Sequence, residues 1–289
     1  MAAATFQQPI DFREETEALH ALVAPLGERD LAAPTAFKGW TVEDILGHLH
    51  FWNRAADLSL ADPAAFRTLA AEVMLVLSER GGVRRFERRA LGALSGAALV
   101  AAWRGFAGAM TDRFAAADPS ARVQWVGPAM SVRSAITARL METWAHGQAV
   151  YDLLGVVRRN GDRIRNIAVL GVKTYEWSFK VRGQAPPAPT PHLRLAAPSG
   201  ELWTWNAPSE SDLIAGAAEE FCQVVTQVRH VADTRLTVVG ASARAWMAGA
   251  QCFAGPPETP PAPETRRTAS SAAPPGGAAG AGDWASRAR

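Results

Sequence analysis

Cysteine is scarce in this 289-residue chain, with Cys222 and Cys252 its two copies. That excludes a disulfide-stapled scaffold and fits a reducing compartment. No apolar run approaches the roughly 18 residues that a membrane span requires. The first residues show no basic-then-apolar leader. A large charge surplus is missing too: the formal net charge of +2 is too small to suggest nucleic acid as the main partner. These absences predict a cytoplasmic protein that acts on a small molecule, with no nucleic-acid or membrane partner. They leave monomer and homodimer open. What is present, 48% hydrophobic and 20% charged residues, is the composition of a globular protein with one large or two modest domains. Arginine far outnumbers lysine and alanine is abundant, which fits a GC-rich genome better than any function.

Helical periodicity dominates the first 180 residues. Phe12, Ala18, Leu19, Leu22, Val23 and Leu26 mark an amphipathic helix over about 11–27, with His20 as a structural or surface residue. Thr41 with Asp44 three later resembles a capping box, opening a helix to about Leu60 whose stripe is Val42, Ile45, Leu46, Leu49 and Trp52. A third helix starts at Asp62-Pro63 and is expected to end at Gly81-Gly82. A short basic helix over about 84–94 presents Arg84, Arg85, Arg88 and Arg89 as a solvated face. Further helices are expected over 95–116, 131–154 (closed by Gly155) and 162–179.

The proline-rich stretch 183–191 reads as a linker. Beyond it, 192–195 and 201–205 flank Pro198-Ser199-Gly200 as a hairpin. Helix is expected from Ser211 to about Val228, a short strand over 236–239, and a helix from Ser242 to about Phe253. The expected architecture is mainly α: a helical bundle over 10–182, then a small α+β domain over 192–256 and a disordered tail over 257–289.

Two stretches carry chemistry. In Met141-Glu142-Thr143-Trp144-Ala145-His146-Gly147-Gln148, Glu142 and His146 stand four apart on a helix and project from one face. A carboxylate and an imidazole so placed offer two metal ligands. Equally, the spacing alone allows a surface carboxylate and a histidine packed beside Trp144. In Gly39-Trp40-Thr41-Val42-Glu43-Asp44-Ile45-Leu46-Gly47-His48-Leu49, His48 lies on or beside the buried stripe, and spacing leaves it open between a ligand and a hydrogen-bonded core residue. His50, about 200° further round the helix, is expected to face outward. If the two helices meet, His48, Glu142 and His146 form a His/Glu/His set with open positions, the arrangement of catalytic divalent-metal sites.

With Ser199-Gly200-Glu201-Leu202-Trp203-Thr204-Trp205, Glu220-Phe221-Cys222-Gln223-Val224-Val225-Thr226-Gln227 and Ala250-Gln251-Cys252-Phe253-Ala254-Gly255-Pro256-Pro257, these stretches resemble the mycothiol-dependent maleylpyruvate isomerase family. Within it they are most similar to an uncharacterised actinobacterial branch. The resemblance spans about residues 10–257. It implies an N-terminal DinB-like four-helix bundle and a divalent metal, with zinc the expected ion, held by His48, Glu142 and His146. It further implies mycothiol as the thiol cofactor and a catalytic arginine from the C-terminal part. Arg229 lies near the right helix, although its surroundings do not match the family motif; the alternative is a surface arginine. Asn53 stands where similar sequences carry an acidic residue, which implies altered support for the ligands.

The leading functional expectation is a metal-dependent isomerase or thiol transferase, with a place in specialised metabolism. Its metal activates a thiol or polarises a substrate oxygen for isomerisation, addition or elimination. The alternative is a metal-stabilised accessory or ligand-binding protein without turnover. A hydrolase using metal-bound water is disfavoured, because Glu43 and Asp44 are a turn or more from His48 and Asp57 is the remaining acid on that helix. Cys222 and Cys252 sit in apolar stripes and read as core.

Overall fold

Four long helices, α1 (Gln8–Val23), α3 (Val42–Ala61), α6 (Gly96–Ala116) and α7 (Val132–Leu154), form a closed ring in which α1 and α3 each touch both α6 and α7. The computed structural model describes residues 6–79 and 81–266. The short α2 (Glu28–Leu31) precedes α3, while α4 (Pro63–Val76) and α5 (Gly82–Leu91) pack outside it. A two-stranded ribbon, β1 (Arg122–Val123) with β2 (Met130–Ser131), leads into α7.

Local chemistry explains the helix ends that matter most. At the start of α3 the capping box is complete: the Thr41 hydroxyl accepts from the Asp44 amide at 3.0 Å, and the Asp44 carboxylate accepts from the Thr41 amide at 3.0 Å. Gly155 closes α7 in the left-handed region, at φ 65, as expected of a glycine there.

After α8 (Arg165–Lys173) and α9 (Tyr175–Lys180) comes a four-stranded sheet ordered β4-β3-β5-β6. β3 (His192–Ala196) pairs antiparallel with β4 (Leu202–Trp205) and parallel with β5 (Leu213–Ala217), which pairs antiparallel with β6 (Thr237–Val239). α10 (Ala218–Val225) packs on α8 and the sheet, and α11 (Ala241–Gly249) on α9 and β6. One apolar cluster joins Ile136, Leu140 and Trp144 of α7 to Leu193, Ile214, Phe221 and Trp246. The core therefore runs continuously beneath residues 183–191.

Several boundaries differ from the sequence expectations. The helix expected from Ser211 is strand β5 up to Ala217, because Leu213-Ile214-Ala215-Gly216-Ala217 is a short apolar run that pairs on both edges, with Gly216 at φ +147. α4 stops at Val76, and Gly82 opens α5 rather than ending α4. The helix expected over 162–179 breaks at Thr174, whose hydroxyl bonds back to the Leu170 and Gly171 carbonyls. His50 faces inward, 5% exposed and edge-on to Phe106, because α3 is covered on several sides by other helices. Residues 257–266, expected to begin a tail, run back over the bundle: the Glu258 carbonyl accepts from Gln227 at 3.1 Å, and its amide donates to Gln251 at 2.9 Å. The rest of the expected tail, 267–289, lies outside the described residues.

Candidate metal centre

α3 and α7 are neighbours in the bundle, and their contact brings His48 against Glu142 and His146. Nε2 of His146 lies 3.1 Å, and Nε2 of His48 3.6 Å, from Oε2 of Glu142. One donor atom from each residue falls within 4.8 Å of the other two. A tetrahedral ion with bonds of about 2.0–2.1 Å separates its ligands by about 3.3–3.4 Å, so these spacings fit such an ion between the three atoms. Two imidazoles and one carboxylate suit zinc and similar divalent ions, and three protein ligands leave positions open.

Behind this set lies a support that sequence reasoning missed. Nδ1 of His48 meets Oε1 of Glu87 at 2.9 Å, and the same oxygen accepts from the Trp52 indole at 2.6 Å. Glu87 thereby turns the other nitrogen of His48 toward Glu142, the role a carboxylate plays behind a ligating histidine. It sits in α5 beside Phe86, within the arginine-rich segment read as a solvated face. Its signal was a lone acid four residues after Val83 on the apolar side. α5 approaches α3 closely where Gly47 lies, since a Cβ there would meet a Leu91 methyl at 2.8 Å. Arg84 and Arg88 of the same helix bind the Asp44 carboxylate, and Arg84 also covers Trp40. Arg84 is thus a tie between α5 and α3 rather than part of a free face.

A second unforeseen residue is Arg139, one turn before Glu142 and 3% exposed. Its Nε donates to the Asn53 carbonyl oxygen at 3.1 Å, so the amide at the position noted in the sequence supports a buried guanidinium. Aromatic rings complete the enclosure. Trp40 stacks on His146 with an interplanar angle of 4° and meets His48 edge-on, while Phe37 packs edge-on to His146 at 4.9 Å.

Charge is distributed unevenly across the three candidate ligands. Burial works against the charged form of His48, but Glu87 and Glu142 outweigh it and raise its pKa to about 9. Burial lowers His146, and the charge on His48 adds to that. Burial opposes ionisation of Glu142, yet hydrogen bonds from His146 and His48 hold its carboxyl well below the usual range. Both imidazoles turn Nε2 toward the Glu142 carboxylate, and a divalent cation bound between the three groups would displace the protons held there.

The three residues border a cavity of about 320 Å³, lined also by Trp40, Arg229, Phe253 and Arg266. Arg229 is 5% exposed and donates to Asp152 of α7 at 2.7 Å, so it is a buried residue of this cavity and not a surface arginine. Cys222 and Cys252 are buried in the core, as the sequence suggested, and burial raises both thiols. Among the described residues, no single helix is long and apolar enough to cross a membrane.

Comparison with known proteins bears on the family and the fold. The family model described as the mycothiol maleylpyruvate isomerase N-terminal domain matches residues 12–151, from α1 through His146 to the end region of α7. Uncharacterised proteins from two strains of Mycobacterium tuberculosis, H37Rv and CDC 1551, are each 40% identical over 248 residues, covering 86% of this chain and 95% of theirs. A crystal structure of the mycothiol-dependent maleylpyruvate isomerase shares the fold, with a TM-score of 0.51 at 14% identity, covering 77% of this chain and 91% of that one. The bundle, the match across α3 and α7 and the full-length mycobacterial relatives lead to one assignment: the chain belongs to the mycothiol-dependent maleylpyruvate isomerase family.

Proposed function

We propose that the protein is a divalent-metal-dependent enzyme of the isomerase or thiol-transferase type, with His48, Glu142 and His146 as its metal ligands and mycothiol as its thiol. The observation that carries this reading is the convergence of three donor atoms within 4.8 Å at the wall of a cavity. A bound divalent ion, with zinc the expected one, would supply Lewis acidity there, favouring the thiolate form of a thiol or polarising a substrate oxygen.

The chain's own residues do the rest. Glu87, 2.9 Å from Nδ1 of His48, holds that ring so that its other nitrogen faces the site. Trp40 and Phe37 wall His146 on two sides, which excludes water and strengthens electrostatic interactions in the cavity. Arg229, held by Asp152, presents a fixed positive charge to the same space, suited to steadying negative charge on a substrate oxygen.

Elemental analysis of protein purified without added metal tests the ligand set. One equivalent of zinc or a similar ion is expected, and His146→Ala should abolish it. Stoichiometric metal surviving that change would overturn the three-ligand site. Titration of cobalt-substituted protein with mycothiol should then produce a thiolate-to-metal absorption band; metal without that band would remove the thiol from the proposal.

A further inference from the structure

Arg139 stands one turn before Glu142 on α7, and the spacing of 139, 142 and 146 puts it on the helix face that carries two of the candidate ligands. It is 3% exposed, and among the described residues no carboxylate lies within ion-pair distance of it. Its one side-chain hydrogen bond there runs from Nε to the Asn53 carbonyl oxygen at 3.1 Å, a neutral acceptor. Asn53 is itself fully buried. Two donors are left over: Nη2 of Arg139 and Nδ2 of Asn53 are both buried without a partner.

A buried guanidinium held by one neutral amide is costly, because its charge has lost water and gained no counter-charge in contact. An aspartate has nearly the size and shape of Asn53 and would supply that counter-charge; the amide leaves the positive charge uncancelled. Burial pushes the guanidinium toward losing its proton, and Glu142 and then Glu87 oppose that from a longer distance, yet an arginine stays charged throughout. The influence is mutual. Burial opposes ionisation of Glu142, and after the two histidines Arg139 adds to the hold that keeps its carboxyl low. Burial lowers His146 first, and Arg139 again adds to the effect. One charge therefore acts on two of the three candidate ligands from behind.

We propose that Arg139, left without a counter-ion by the neutral Asn53, sets the electron-withdrawing power of the metal centre and trades metal affinity for Lewis acidity. The inference rests on the proposed function, since it needs an ion between His48, Glu142 and His146. Positive charge behind Glu142 draws electron density from the ligating carboxylate, so that group gives less to the ion. In the loaded centre Glu87 and Glu142 offset the charge of a divalent ion, and Arg139 remains in excess. That surplus weakens cation binding and leaves the ion a stronger acid toward a thiol or a substrate oxygen. An ion that served stability alone would be hindered by such a neighbour, so the arrangement favours turnover over an accessory role.

The test compares the wild type with Asn53→Asp, Arg139→Gln and Arg139→Lys, each checked for its fold by circular dichroism. Zinc affinity is read by competition with a coloured chelator, and the visible spectrum of the cobalt-substituted protein is followed against pH. Asn53→Asp cancels the charge and Arg139→Gln removes it. Both should therefore bind zinc roughly tenfold more tightly and move the midpoint of the cobalt spectrum up by about one pH unit. Arg139→Lys, which keeps a charge but not the fork, should stay near the wild type on both readings. Zinc affinity that is equal or weaker in Arg139→Gln would make Arg139 a packing residue and overturn the inference. So would an unmoved cobalt midpoint, or a lysine variant that behaves like the glutamine one. Tightening by Asn53→Asp alone would belong to the new acid itself and would also overturn it. Absence of zinc from the wild type would sink the proposed function together with this inference, whereas zinc bound alike by wild type and Arg139→Gln sinks the inference alone.

Discussion

Glu87 and His48 stand on different helices, yet Oε1 of one lies 2.9 Å from Nδ1 of the other, and the same oxygen accepts from Trp52 at 2.6 Å. The carboxylate is 4% exposed, so this contact is shielded from water. It decides which nitrogen of His48 faces Glu142.

From that relationship, Glu87→Gln should weaken metal binding by roughly 10–100-fold, the usual effect of losing the carboxylate behind a ligating histidine. Glutamine keeps an acceptor for Trp52, so the fold should persist. Competition with a coloured chelator measures the affinity, and circular dichroism checks the fold. Unchanged affinity would show that Glu87 serves packing and not the ligand set.

Asp44 ties α5 to the start of α3 through Thr41, Arg84 and Arg88. Burial alone would raise its carboxyl, but the Thr41 amide and the two arginines outweigh it and hold the pKa below the ordinary 3.8. The carboxylate's contribution is therefore complete above the unfolded value of about 4 and is lost as pH falls through the lower folded value. Asp44→Ala should cost about 1–2 kcal/mol near neutral pH, the scale of a lost helix cap. The gap between variant and wild type should close in acid. Urea unfolding at pH 7 and pH 3 measures it; a gap that widens in acid would contradict the assignment.

Both cysteines should be inert in the folded protein, since burial raises their pKa values and the thiolate is the reactive form. A coloured disulfide reagent should report no fast-reacting thiol in the native state and two after denaturation. Rapid labelling of either cysteine without unfolding would mean that its surroundings open readily.

Much of the bundle was legible in the chain because its signals are local. The Thr41–Asp44 capping box, the Gly155 cap and the i,i+4 placement of Glu142 and His146 each depend on neighbours within a turn or two. Such signals are read from spacing. The run from Leu213 to Ala217 was misread as helix because a short apolar segment carries no period, and only pairing with β3 and β6 makes it a strand. His50 was misplaced for a related reason: the face of α3 it occupies is buried by α6 residues that lie more than fifty positions later in the chain.

The sequence by itself determined the helix periods, the cap residues and the candidate ligands on α3 and α7, because each is set by contacts between near neighbours. Tertiary structure alone decided the partners of those ligands. Glu87 behind His48, Arg139 on Asn53, and the crossing segment that carries Arg266 to Phe37 are all pairings between distant positions. Which far-apart side chains meet depends on how helices pack and where the chain returns. No local pattern encodes that directly, since burial against a particular neighbour exists only once the core has closed.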